Sequence, residues 1–248
     1  MTWRRGGFEP PLYTPPPYAS KLPDLLARAR AGDAAAAKNV YDIQKSCASV
    51  PADPAGLETA TELLMQTHQI NWLTGNLSRV EPTKLEEFCD ILNTVYKHCL
   101  GVERVDRQTR LAWLQRAAEG TNAGVKMEYA RAIGEQDPAA AAAMVDEVRA
   151  SGYVDVLPEL RERSLREFEA GTRPDGLIDA FAIHYAYASL YHARYGRDLE
   201  RIIGRHVQRL LDRADELALR LRPHEIEQGL ARAEELLVGD NEGWTLEF

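Results

Sequence analysis

The chain has 248 residues, of which 45% are hydrophobic and 27% charged, the balance of a globular protein and not of a disordered or fibrous one. Lys and Arg number 30 against 38 Asp and Glu, so the formal charge is −8, which argues against broad, sequence-independent binding to nucleic acid. No window of eighteen consecutive apolar residues occurs, so no segment reads as a membrane-spanning helix.

Residues 1–20 read as an arm. Two arginines, Arg4 and Arg5, are followed by no apolar run, so the segment does not read as a signal peptide. Five prolines between Pro10 and Pro17 remove backbone donors and hold φ near about −65°, which favours an extended, polyproline-like tether. A docking motif for a proline-binding module is the alternative.

From about residue 21 to 238 the pattern is helical, rich in Ala, Leu, Arg and Glu, with no stretch that alternates like a strand. About eleven helices are predicted. The first two cover about 22–31 and 34–46, with Gly32 as stop and Asp33 as N-cap between them. A third covers about 54–74, and a fourth, about 83–99, opens on Thr83-Lys-Leu-Glu86, which matches a capping box. Helices follow at about 107–119, 122–135 and 138–151, the last with Asp137 as cap and Pro138 in its first position. The remainder lie at about 154–170, 175–195, 197–221 and 224–238, with Pro223 at the final break. Connections this short suit antiparallel hairpins in one helical domain. Residues 239–248 form an acidic tail.

The three cysteines, Cys47, Cys89 and Cys99, include no Cys-x-x-Cys, so the usual zinc and thioredoxin signatures are missing and no metal or cofactor is expected. Cys47 and Cys99 each end a predicted helix. A bridge between them would close a loop of about 53 residues, worth roughly 4 kcal/mol in the chain-entropy model. Three buried thiols in a reducing compartment fit the composition equally well.

Helix 175–195 carries Phe181, His184, Tyr185, Tyr187, Tyr191, His192 and Tyr195. Tyr and His pair an apolar body with a polar tip, so His184, Tyr187 and Tyr191 are candidates to line a binding groove; a packed core helix with satisfied hydroxyls is the plainer reading. His68 and His98 are isolated. Helix 197–221 has a continuous apolar stripe and, beside it, Arg197, Arg201, Arg205, Arg209 and Arg213 at every fourth position. This stripe is a solvated face answered by acids of neighbouring helices, a groove for an acidic peptide, phosphate or carboxylated polymer, or an internal partner for residues 223–248. Gly-x-Ser-x-Gly, P-loop, His-Glu-x-x-His and dinucleotide fingerprints are all missing, so no catalytic residues are assigned and an enzyme is not expected.

Shifted by about 89 residues, segment 22–40 overlays 111–129: Leu22 falls on Leu111, Leu25 on Leu114, Ala29 on Ala118, Asp33 on Asn122, and Ala34 on Ala123. The strings Leu-Leu-Ala-Arg-Ala-Arg-Ala-Gly-Asp-Ala-Ala-Ala-Ala at 25–37 and Leu-Ala-Trp-Leu-Gln-Arg-Ala-Ala-Glu-Gly-Thr-Asn-Ala-Gly at 111–124 resemble Sel-one-like repeats, a branch of the tetratricopeptide-type helical repeats. Residues 221–234 resemble the closing helix of such proteins. The 54–99 stretch does not fit the repeat, and the resemblance covers about a third of the chain. It implies an all-α, right-handed solenoid of antiparallel hairpins, a concave binding surface, and a protein-interaction scaffold with no catalytic residues. Arg201, Arg205, Arg209, His184, Tyr187, Tyr191 and Trp113 are the candidate partner-binding residues, and another protein or peptide, of acidic character, is the expected partner. The cysteines at Tyr41-Asp-Ile-Gln-Lys-Ser-Cys47 and Tyr96-Lys-His-Cys99 resemble those of exported bacterial members, which implies a Cys47–Cys99 disulfide. The expected location is periplasmic or secreted if a signal segment has been removed, and cytoplasmic otherwise. The rivals are an all-α enzyme with a cleft around His184, Tyr187 and Tyr191, and a neutralising partner protein.

Overall fold

The computed structural model describes residues 17–70, 78–79, 81–195 and 203–239. The proline-rich arm to residue 16, Arg197, Arg201 and the acidic tail from residue 240 lie outside these. Among the described residues the chain is helical apart from one two-residue antiparallel pair. It divides into two compact units, Met1–Gly120 and Thr121–Phe248.

The first unit holds α1 (Tyr18–Arg30), α2 (Ala34–Ser49), α3 (Pro54–Thr67), β1 (Gln69–Ile70), β2 (Ser78–Arg79), α4 (Leu85–Cys99) and α5 (Arg107–Ala118). The turn between α1 and α2 follows its sequence closely. Gly32 takes φ +96°, its N–H reaches Ala29 O, and the Asp33 N–H reaches Arg28 O, the Schellman arrangement that only a glycine accommodates cheaply. Asp33 then accepts from Ala36 N–H at 2.9 Å and opens α2. Helix α2 packs on α1, on α4 and on α5, and α3 packs chiefly on α4. Small buried residues (Ala29, Ala36, Ala37) let these helices approach closely, and Val40 and Leu114 are fully enclosed.

Three local expectations are corrected. Helix α1 begins at Tyr18, ahead of the expected start and with Pro23 inside it; the Tyr18 ring lies tilted on that of His98, centroids 5.4 Å apart, and the Ser20 hydroxyl donates to Pro17 O. Helix α3 stops at Thr67 and does not run to 74, because His68 turns left-handed (φ 56°) and residues 69–70 pair with 78–79. The Thr83–Glu86 capping box does not form: Pro82 starts a 3₁₀ turn, Pro82–Lys84, which leads into α4 and puts Lys84 at the cap position without a side-chain bond.

The second unit holds α6 (Ala123–Ile133), α7 (Pro138–Ala150), a 3₁₀ turn at Val154–Val156, α8 (Leu157–Glu169), α9 (Gly176–Tyr195), α10 (Ile203–Ala218) and α11 (Pro223–Gly239). Asn122 caps α6 through Val125 N–H and Asp137 caps α7 through Ala140 N–H, with Pro138 in its first turn, as expected. Helices α6 and α7 form a hairpin, whereas α9 packs on α8, α10 and α11 together. Its sequence explains this centrality. No polar stripe runs along α9, and Ala180, Ala182, Ala186 and Ala188 are buried small residues against which other helices can lie. Glycines complete the close approach: a Cβ on Gly176 would stand 2.4 Å from Ser164 O of α8, and one on Gly229 of α11 would stand 2.5 Å from Phe181 Cδ1.

Candidate functional site

Of the residues singled out on α9, His184 and Tyr187 are buried among neighbouring elements. His184 is 1% exposed. Its Nε2 lies 2.8 Å from Leu210 O of α10 and its Nδ1 lies 2.9 Å from Arg161 Nη1 of α8. A carbonyl only accepts and a guanidinium only donates, so the ring is neutral, with the proton on Nε2. Burial first, and then the Arg161 charge, lower its pKa to about 4; Arg213 of α10 acts in the same sense, while Leu210 O and Glu162 oppose it. Tyr187 is also buried, and its hydroxyl donates to Asp155 Oδ1 at 3.4 Å, while Tyr153 donates to Asp155 Oδ2 at 3.2 Å. One carboxylate on the 3₁₀ turn thereby ties that turn to α9. The side chain of Tyr191 lies outside the described residues.

Of the arginine stripe, Arg209 and Arg213 are exposed on α10, the side chain of Arg205 lies outside the described residues, and so does Arg201 entirely. Arg213 lines a cavity of about 260 Å³ with Arg161, Glu162, Glu216 and Arg220. Trp113 of α5 is half-buried, with the Arg116 guanidinium 5.0 Å from its ring centre, one turn along the same helix. Among the described residues, no three His, Cys, Asp or Glu side chains gather as a metal site.

Cys47 and Cys99 are joined, with Cα atoms 5.3 Å apart, inside the range a disulfide spans without moving backbone. Cys89 is a free, half-buried thiol; burial, then Asp90 and Glu86, push its pKa up, so it is a weak nucleophile.

A different set of arginines, which the sequence pattern did not single out, lines two concavities of the second unit. A cleft of about 380 Å³ has Leu160, Ala182, Ile183 and Leu236 among its lining, with Arg149, Arg163, Arg173 and Arg232 around them and Asp179 and Glu235 as its acids. A neighbouring cleft of about 440 Å³ shares Arg163 and adds Arg131 and Arg166. Arg163 donates to Asp146 Oδ1 at 3.0 Å, Arg131 to Glu159 Oε1 at 2.6 Å, and Arg232 reaches Asp175 Oδ2 at 3.1 Å and Asp179. Arg149 and Arg166 are exposed and have no ion pair among the described residues. Arginine beside an apolar floor suits a ligand with both carboxylates and apolar side chains. These arginines come from four helices and the α8–α9 connection, so no common spacing in the sequence could reveal them. No family model matches the chain, and no curated protein or solved structure does either.

Proposed function

We propose that the chain is a non-catalytic protein-interaction scaffold built from helical hairpins in the manner of a solenoid, that it works in an oxidising compartment such as the bacterial envelope, and that it holds an acidic peptide segment of its partner. The observation that carries this reading is the pair of adjoining clefts on α6, α7, α8, α9 and α11, where exposed Arg149 and Arg166 stand beside apolar lining. The disulfide supports the compartment, since such bonds persist where thiols are not kept reduced. The chemistry of α9 supports a binding role over a catalytic one: among the described residues, His184 is the buried group with a large pKa shift, and both of its nitrogens are engaged in holding helices together.

The test is affinity capture from the native host with the full chain as bait, identification of the captured protein, and titration of that purified protein against the wild type and Arg149→Glu/Arg166→Glu. Charge reversal at two exposed sites leaves the fold intact and should weaken binding by about tenfold or more, equivalent to about 1.4 kcal/mol. Unchanged affinity removes the clefts as the binding site.

A further inference from the structure

The stretch between α2 and α5 is fastened at its root by two independent links. Cys47, near the end of α2, is bonded to Cys99, the last residue of α4. Just beyond, the Arg104 guanidinium donates to Val50 O and to Pro51 O, at 2.5 Å each. The chain therefore leaves α2 and returns towards α5 at one place, and α5 packs on α2 as its successor would. The spacing of about 89 residues between the matched turns includes this whole excursion. Without the stretch from Pro51 to Glu103 it falls to about 36 residues, within the roughly 34–47 residue period of helical-hairpin repeats. Where α3 meets α4 the core is small: Leu64 and Leu85 are buried, with Phe88 and Cys89 packed beside them, while Leu63 and Met65 on α3 are exposed. Leu92 and Tyr96, further along α4, are buried as well, on a helix that also packs on α1 and α2.

The geometry points to residues 51–103 being an insertion within a hairpin repeat, with the Cys47–Cys99 bond acting as a redox-operated clasp that keeps the α3–α4 arm ordered against α2. The α1–α2–α5 layer holds without it. Opening is thiol–disulfide exchange with a dithiol reductant. One thiolate of the reductant attacks a sulfur of the bridge and expels the other as thiolate. Its second thiolate then attacks the mixed disulfide. Two electrons pass to Cys47 and Cys99, which end as thiols with two protons, and the reductant ends as a disulfide. Both half-cystines are buried, so exchange waits on local opening of the arm.

Hydrogen exchange on the full chain tests this in three forms: oxidised, reduced with dithiothreitol, and Cys47→Ser/Cys99→Ser. In the last two, amides of 54–67 and 85–99 should exchange about tenfold faster or more, while those of α1, α2 and α5 stay within about twofold of the oxidised form. Protection lost through α1, α2 and α5 as well would overturn the insertion, and so would a serine variant that does not fold. Protection unchanged across α3 and α4 would overturn the clasp.

Discussion

The α1–α5 unit and the α6–α11 unit use similar residues and fix helix register by different means. In the second, α9 is enclosed by three helices, and four of its buried residues are alanines. Directional bonds add to that packing: His184 to Leu210 O and Arg161, Tyr187 to Asp155, and Arg232 to Asp175 and Asp179 connect α9 to its several neighbours. In the first unit, the α3–α4 arm has only a small core between its own two helices. Besides the packing of α4 on α1 and α2, a covalent bond and one arginine fasten it at its root. Abundant burial needs polar groups to choose among packings, while scarce burial needs a tether.

The contrast is broken most directly at the tether. The bridge spans a sequence separation of 52 residues, for which the chain-entropy model assigns roughly 4 kcal/mol. Cys47→Ser/Cys99→Ser should lose stability on that scale in urea unfolding, with the loss concentrated in α3 and α4. Thiol titration of the denatured, unreduced protein should find one reactive group, Cys89. Three thiols would remove the tether from the account.

The polar ties of α9 are read through pH. A histidine has a pKa near 6.5 in the unfolded chain and His184 titrates at about 4 when folded, so between these values the unfolded state binds more protons. Stability is therefore complete above about pH 6.5 and falls as the pH drops towards 4, by up to roughly 3 kcal/mol from this one group. Protonation at Nδ1 would also set an imidazolium against the Arg161 guanidinium. Urea unfolding across this window checks the slope, and His184→Gln should remove the part due to this residue. A flat profile would mean that His184 does not serve as the neutral link between α8 and α10.

A smaller effect is expected where two helices touch through glycine. Gly176→Ala would place a methyl 2.4 Å from Ser164 O, and a backbone oxygen cannot step aside as a flexible side chain can. The cost should be about 1–3 kcal/mol, measured by thermal unfolding. An unchanged midpoint would show that the α8–α9 crossing is looser than the contact implies.

What was legible in the sequence is what is local. Asp33, Asn122 and Asp137 followed by Pro138 mark helix starts because the bonds they make reach only three residues ahead. The end of α3 was not legible, because His68 takes a left-handed turn without the glycine that signals one. The buried ties were not legible either: Arg161 with His184, Asp155 with Tyr187 and Arg104 with Val50 are brought together only by the fold. Helix α9 carried a usable signal in its lack of any polar stripe, which marks a helix enclosed on several sides. The arginines of the clefts come from α6, α7, α8, the α8–α9 connection and α11, and have no common spacing to read.

The finest test asks whether the two matched turns are one device used twice. Asp33 and Asn122 have nearly the same backbone, φ −75° and ψ 103° against φ −71° and ψ 110°, and each accepts from the N–H three residues on at 2.9 Å. They differ in what precedes them. Gly32 is left-handed, whereas Gly120 stands one place earlier in the match, with Thr121 opposite Gly32 and no positive φ at either. If the cap is the shared element, Asp33→Ala and Asn122→Ala should each lower Tm by about 2–4 °C. Asp33→Asn and Asn122→Asp should each be nearly silent, since both residues cap equally well; the first also gives up the 2.6 Å pair with Arg28, which is exposed and so contributes little. A loss at one turn without the other would mean that the two turns share a sequence pattern but not the interaction that starts the helix after them.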